Sequence, residues 1–155
     1  MNSFNTEKLS SIFADALTGV ISKMAGFSFD ILSSDADNNF EEITSVMNLN
    51  GMNHGIIFIS AKEKVMRIIS SFMTGIPENE ITRDDIEDTL CELVNMTAGN
   101  AKLRTNNTEH TFTLSQPFII NGENLSIKAK KRINIFSRIL GNNEISIKLK
   151  LIFFT

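Results

Sequence analysis

Residues 88–102 of this chain read DTLCELVNMTAGNAK, and they predict a long helix that carries one polar stripe. At about 100° per residue, the four members of the stripe fall within roughly 60° of one another. They are Asp88, Glu92, Asn95 and Gly99. Apolar or small residues occupy the opposite side: Ile86, Leu90, Leu93, Thr97 and Ala101. We therefore expect one side of this helix to lie on a core and the stripe to face solvent.

The limits of this helix can be placed from capping residues. Thr82 can cap its start, and Asp84 and Asp85 complement the positive end of the helix dipole. The helix should continue to about Arg104. Upstream, the sequence predicts a helix from Thr6 to the glycine at position 26, strands over 27–31, 43–50 and 55–60, and a second helix over 61–74.

After residue 107 the pattern of apolar residues changes from helical spacing to alternation. The strands predicted there cover 110–115, 117–120, 125–129, 133–136 and 144–154. Helices and strands that follow one another without strict alternation favour an α+β fold over a doubly wound sheet. We expect one domain over residues 1–155, with a mostly antiparallel sheet packed against long amphipathic helices.

The composition narrows the possible partners. The chain has 155 residues, a formal net charge of −3 and a single cysteine. Nucleic-acid binding is not expected of an acidic chain, because that affinity depends on neutralising phosphates. Apolar runs are far shorter than the ~20 residues of a membrane span, so no membrane association is expected. One cysteine excludes an internal disulfide and favours a cytoplasmic location.

Several common site types lack their sequence motifs here. The chain contains no Walker loop, no dinucleotide-binding glycine motif and no nucleophile elbow. His54 and His110 are far apart in sequence and have no neighbours at metal-ligand spacing, so no metal site is expected. Cys91 is interpreted as an inert thiol that flanks the polar stripe.

The polar stripe itself has two interpretations. It can be the wet face of an ordinary amphipathic helix, or it can be a site that receives something from outside. Asn95 and Gly99 favour the second interpretation, because both residue types are poor helix formers. A glycine on an exposed face also leaves room for another backbone to approach.

At this point the residues resemble a known family. The pattern of Asp88, Glu92 and Asn95, continued by residues 96–102, is similar to the signature of the CheC/CheX/FliY phosphatases of bacterial chemotaxis. Pro117 follows Asn95 after 21 intervening positions, one fewer than the family's spacing. The first helix carries no second Glu-x-x-Asn pair, which resembles CheX rather than the two-site CheC.

The resemblance implies a CheC-like fold and a function. The substrate would be the aspartyl phosphate of a CheY-type response regulator, which would also supply Mg²⁺, so the chain needs no cofactor of its own. Asn95 would position the attacking water, and Glu92 would dock to the regulator's lysine. Asp88 and Gly99 would belong to the partner-binding surface.

Three alternatives remain open within this interpretation. Glu92 could instead act as a general base, although a solvent-exposed carboxylate is generally a weak base. The chain could also be a non-catalytic binding module for a phosphorylated regulator or a flagellar switch component. The third is an α+β scaffold whose stripe is mere surface. The resemblance further implies a homodimer, for which an unpaired terminal strand over 144–154 would offer an edge.

Overall fold

One antiparallel sheet carries long helices on a single face. The structure is a computed structural model that describes residues 6–34, 39–51, 54–130 and 133–154. Within these residues the α-helices are α1 (Thr6–Ala25), α2 (Glu63–Thr74) and α3 (Arg83–Thr105). The strands are β1 (Asp30–Ser34), β2 (Ile43–Gly51), β3 (Gly55–Ala61), β4 (Phe112–Leu114), β5 (Phe118–Asn121), β6 (Ile133–Gly141) and β7 (Ser146–Phe154). This arrangement confirms the predicted α+β class.

The sheet order brings the C-terminal strand to the middle. The strands lie in the order β1-β6-β7-β3-β2-β4, and β5 also pairs with β2, beside β4. β7 therefore has a hydrogen-bonded neighbour on each side, β6 and β3. The expectation that the terminal strand offers an unpaired edge for dimerisation is wrong, because that edge is already used within the chain. Among the described strands, β1 lies at one end of the sheet instead.

The main core lies between the helices and one face of the sheet. The fully buried residues of α3 match the apolar side predicted from the sequence: Ile86, Leu90, Leu93, Thr97 and Ala101. They pack with α1 residues such as Phe13 and Leu17 and with alternate residues of β7. Burying a side chain of the size of leucine or isoleucine contributes about 1.5–3 kcal/mol. This packing, rather than helix propensity, fixes which face of α3 points outward.

The other face of the sheet is covered by irregular chain. Residues 125–129, predicted to be a strand, form only an isolated bridge between Asn39 and Ser126. The backbone N–H of Phe40 donates to the Leu125 carbonyl (2.8 Å). Ile127 packs on a small cluster of outward sheet residues. Ile127 thus contacts the sheet with its side chain, while Leu125 is exposed. The alternation of this segment does not reflect strand pairing.

Two strand boundaries also differ from the sequence-based prediction. β6 extends to Gly141, whereas its alternating pattern predicted an end at 136. β1 begins at Asp30, later than predicted, because Phe27 and Phe29 pack their rings together before the strand starts. Of the turn predicted to join β2 and β3, positions 52 and 53 lie outside the described residues.

Candidate active site

The start of α3 is fixed by a capping box. The Thr82 side chain accepts from the Asp85 backbone N–H (3.2 Å), and the Asp85 carboxylate accepts from the Thr82 backbone N–H (2.8 Å). The bond from the Thr82 backbone N–H, and a second that the Thr82 hydroxyl donates to the carboxylate (2.9 Å), stabilise the charged form and lower the pKa of Asp85. The predicted start of the helix is confirmed. Its register, and so the direction of every residue in the stripe, follows from this cap and from the buried face.

The polar stripe faces solvent as the sequence predicted. Asp88, Glu92 and Asn95 are exposed, and Gly99 is half-buried. Among the residues that the structure describes, no hydrogen bond or ion pair engages the side chains of Asp88, Glu92 or Asn95. Glu92 and Asn95 lie about 4.5 Å apart along the helix axis, at 1.5 Å per residue. Both side chains are therefore available to an incoming molecule.

A second wall faces this part of α3 across an open cleft. One side of the cleft is formed by Asp88, Cys91, Glu92 and Asn95, and the other by residues 114–117. The cleft has a volume of about 550 Å³ and is mostly polar. The structure thus brings three of the four predicted site residues to one cleft; Gly99 lies one turn beyond it.

The second wall is a break in the edge of the sheet. Leu49 of β2 pairs with Leu114, and Val46 pairs with Phe118. Three residues, 115–117, therefore stand opposite only two on β2, as in a β-bulge, where an extra residue bends the strand and redirects side chains. Pro117 fits this position because it has no N–H to leave unpaired.

Side-chain hydrogen bonds anchor the bulged link. The Ser115 hydroxyl accepts from the Asn48 backbone N–H (2.9 Å) and donates to the Gln116 carbonyl (3.1 Å). The Ser115 N–H in turn donates to the Asn48 carbonyl (3.1 Å). The wall that faces Asn95 is therefore tied to the sheet at both its side chain and its backbone.

A charged network ties α3 to the end of β5. The Arg83 guanidinium donates to Asn121 Oδ1 (2.7 Å), pairs with Glu63 at the start of α2 (2.8 Å) and contacts Glu87 (3.3 Å). Asn121 Nδ2 also donates to Glu87 (3.1 Å). Exposed ion pairs contribute little each, but several charges in one network can add to more than isolated pairs. The network links the first turn of α3 to the last residue of β5, the strand that follows the second wall.

Cys91 lines the cleft but is chemically quiet. Its thiol is half-buried, and burial together with the carboxylates of Asp88 and Glu87 raises its pKa. A thiol that stays protonated at neutral pH is a poor nucleophile. The interpretation of Cys91 as inert is supported.

Gly99 has no structural requirement within this chain. α3 runs through it without a positive φ, and a Cβ built at this position meets no atom within 4 Å. A glycine inside a helix costs about 1 kcal/mol relative to alanine. The molecule therefore carries a destabilising residue that its own fold does not need.

No metal centre or membrane span belongs to the described part of the molecule. Residues 6–34, 39–51, 54–130 and 133–154 contain no group of three or more His, Cys, Asp or Glu that could hold a metal ion. None of the helices described is long and apolar enough to cross a bilayer. The side chain of His110 is only 14% exposed.

Comparison with known families identifies the chain. The family model for CheX, described as a chemotaxis phosphatase, matches residues 43–139. This span contains α3 and both walls of the cleft. The chain belongs to the CheX family. No curated protein matches it at a significant level.

Solved structures of the same fold extend over nearly the whole chain of this CheX family member. The chemotaxis protein CheX of Vibrio vulnificus is 18% identical, with a TM-score of 0.82, covering 94% of this chain and 99% of that one. CheX from Desulfovibrio desulfuricans is 20% identical, with a TM-score of 0.80 and coverages of 94% and 99%. A CheX–CheY–BeF3–Mg²⁺ complex from Borrelia burgdorferi contains a chain that is 18% identical, with a TM-score of 0.80 and coverages of 95% and 98%. At these identities the likeness shows the shared fold.

Sequence reasoning missed most of the second wall. Leu114, Ser115 and Gln116 carry no motif, and they reach the cleft only because β4 and β5 share β2 as a partner. One signal was available. Pro117 belongs to the family pattern that the sequence resembles, and it lies in the cleft opposite α3.

Proposed function

We propose that this CheX family member is a phosphatase that accelerates hydrolysis of the aspartyl phosphate on a CheY-type response regulator. The observation that carries the proposal is the pair Glu92 and Asn95, exposed one turn apart at the mouth of a cleft. No described group of the protein engages either side chain. Such a pair suits a substrate that is itself a folded protein.

The chemistry asks for little besides a well-placed water. In an aspartyl phosphate, water attacks phosphorus as the bond to the aspartyl oxygen breaks, which yields the free carboxylate and inorganic phosphate. Catalysis of phosphoryl transfer is mainly positioning and charge stabilisation. The Asn95 carboxamide oxygen can accept a hydrogen bond from the water without taking its proton. In this role Asn95 holds the water in line with the breaking bond.

Glu92 is assigned to docking. Its carboxylate, one turn before Asn95, would pair with the lysine beside the regulator's phosphorylated aspartate. A charge-assisted contact of this kind fixes the register of two proteins as well as adding affinity. Asp88 lies one further turn away and extends the same acidic surface. The Borrelia burgdorferi complex, in which a CheX is bound to CheY with BeF3 and Mg²⁺, supports this partner class.

Gly99 is assigned to the same interface. Because its own fold does not need a glycine there, the missing side chain is best explained by close approach of the partner's backbone. In this proposal Mg²⁺ arrives with the regulator, and the protein works in the cytoplasm. Homodimer formation also stays a prediction, and it now lacks the support once taken from the terminal strand.

The test is the lifetime of the acyl phosphate on a CheY-type regulator. A substoichiometric amount of the protein should dephosphorylate an excess of phosphorylated regulator, because each enzyme molecule acts many times. We expect Asn95→Ala to lower kcat by about 10²-fold or more, since misplacing the attacking water costs that much. Binding to the phosphorylated regulator should change little.

Asn100→Ala is the matched control for this variant. Asn100 is an exposed asparagine on the same helix, about 140° around the axis from Asn95. It should retain the wild-type rate. A wild-type rate in Asn95→Ala would refute the assigned role, and protection of the phosphoryl group by the wild-type protein would make the chain a binding module.

A further inference from the structure

A second cleft lies on the other side of Asp88 and Glu92. It is lined by Met24, Met73, Thr74 and Thr89 together with these two carboxylates, and its volume is about 330 Å³. Met24 is near the end of α1, and Met73 is near the end of α2. Unlike the cleft that contains Asn95, this one is mostly apolar.

The residue before Met73 on α2 is an exposed aromatic. Phe72, the neighbour of Met73 on α2, is 63% exposed. Its ring packs edge-on against Phe27, with the ring centroids 4.8 Å apart. Phe27 in turn stacks on the buried Phe29 at 6.1 Å. Phe27 and Phe29 therefore restrict the Phe72 ring, so its side chain loses little further conformational entropy on binding.

Met24, Phe27, Phe72 and Met73 together form what we call the Met–Phe surface. Phe72 is exposed, while Met24, Phe27 and Met73 are half-buried and also pack on the main core. Exposed apolar groups that adjoin one another commonly mark interaction sites. Methionine side chains are flexible and polarizable, and they adapt to differently shaped partners. The acidic rim supplied by Asp88 and Glu92 complements a partner on which basic side chains flank an apolar area.

The area of a stable protein–protein interface is larger than the cleft that contains Asn95. A specific protein–protein interface involves about 800 Å², or 20–30 residues, on each partner. The cleft with Asn95 has eight lining residues and is too small to supply this alone. Asp88 and Glu92 line both clefts. A regulator that places its lysine on Glu92 therefore adjoins the cleft that Met24 and Met73 line.

We propose that the Met–Phe surface docks an apolar area of the phosphorylated response regulator next to its acyl phosphate. It determines affinity and the choice of regulator, and it takes no part in the chemical step. This inference rests on the proposed function, since it assigns a second contact to the same partner. Phe72 and Met73 are its central residues.

The test measures binding and turnover separately in Phe72→Ala. The binding probe is a CheY-type regulator activated with beryllofluoride and Mg²⁺, titrated against the full chain. We expect the Kd for this probe, and KM for dephosphorylation, to rise about tenfold, as for an aromatic anchor at an interface. The kcat should stay within about twofold. Met73→Ala should act in the same direction.

Phe154→Ala is the matched control. Phe154 ends β7 and is 43% exposed, and its position alternates with the helix-facing residue Phe153, so it lies on the opposite face of the sheet. It should leave both Kd and KM unchanged. Thermal unfolding of each variant shows that the fold is intact.

The outcomes separate this inference from the proposed function. Wild-type protein that binds the beryllofluoride-activated regulator but does not dephosphorylate the phosphorylated regulator would refute the phosphatase, while a raised Kd in Phe72→Ala would still support the docking surface. A wild-type Kd in both Phe72→Ala and Met73→Ala would overturn the docking surface. A change in oligomeric state by light scattering, with Kd unaltered, would assign the surface to a second copy and would also overturn it.

Discussion

α1 and α3 are the two longest helices of the described chain, they pack side by side, and they present different outward faces. α1 has 20 residues and α3 has 23. On α1 the hydroxyl of Thr18 donates back to the Asp15 carbonyl (2.9 Å), and that of Ser11 to the Glu7 carbonyl (3.2 Å). On α3 the carboxylate of Glu92 and the carboxamide of Asn95 make no such bonds among the described residues.

The difference teaches that polarity alone does not make a site. Both helices are amphipathic, and both carry an acidic residue and a glycine on the exposed side: Asp15 and Gly19 on α1, Asp88 and Gly99 on α3. α3 adds two uncommitted side chains and a facing wall, residues 114–117. A hydroxyl that donates its hydrogen bond to a carbonyl of its own helix no longer has that donor available for a binding partner.

The largest expected effect comes from reversing the charge at the docking position. Glu92→Lys should raise the Kd for the activated regulator by about 10²-fold or more, because a favourable ion pair becomes a repulsion. Asp15→Lys, an exposed acidic residue on α1, should have no effect on binding. Calorimetric titration of both variants measures the contrast. Equal Kd values for the two variants would end the functional distinction between the helices.

The two glycines give a sharper version of the comparison. Gly19 and Gly99 both lie inside helices, and a Cβ at either position meets nothing within 4 Å. Alanine at either position should therefore raise the free energy of unfolding by about 1 kcal/mol. Only Gly99→Ala should weaken regulator binding, by about tenfold, because the added methyl group blocks close approach.

Denaturant unfolding and regulator titration of these two variants measure both quantities. A higher free energy of unfolding together with weaker regulator binding in Gly99→Ala would support a role for Gly99 at the interface. If Gly99→Ala bound as well as wild type, the glycine would belong to the helix surface and not to the site.

The smallest expected effect is a change in the stability of α3 that leaves the activity of its exposed residues unaltered. Thr82→Ala removes the hydroxyl that accepts from the Asp85 backbone N–H and donates to the Asp85 carboxylate, while the backbone N–H of residue 82 still donates to that carboxylate. It should lower the free energy of unfolding by about 1 kcal/mol, with kcat and KM unchanged. The pKa of Asp85 is lowered in the folded state, so its contribution is present above the ordinary aspartate pKa of 3.8. That contribution is lost as pH falls through the folded-state value, because the carboxylate then takes up a proton.

Thermal unfolding at pH 7 and at successively lower pH measures this difference. The stability gap between wild type and Thr82→Ala should narrow as pH falls below 3.8. A gap that stays constant across this range would show that the Thr82 hydroxyl stabilises the helix through the Asp85 backbone N–H and not through the Asp85 carboxylate.

Predictions that depend on local spacing were confirmed. The outward direction of Glu92 and Asn95 follows from a period of 3.6 residues and from the apolar side that includes Leu90 and Leu93. The start at Thr82 follows from a cap that involves residues three positions apart. Both signals lie within a few turns of chain, so the sequence contains them directly.

Predictions that depend on the neighbours of a strand were less successful. Residues 144–154 were correctly predicted as a strand, but their place in the middle of the sheet was not, since strand order depends on contacts distant in sequence. Residues 125–129 alternate like a strand, but they form only one isolated bridge, and Ile127 packs on one face of the sheet. An alternating pattern shows that one side of an extended segment is apolar. It does not show whether the segment is hydrogen-bonded to a neighbouring strand.

The sequence by itself determined the helix, its buried side and the two exposed side chains, because helical periodicity and capping act over a few residues. The tertiary structure decided that these side chains face a wall. That wall exists because β4 and β5 both pair with β2 and leave residues 115–117 bulged between them. The same long-range packing placed the ends of α1 and α2 beside Glu92, where they form the Met–Phe surface.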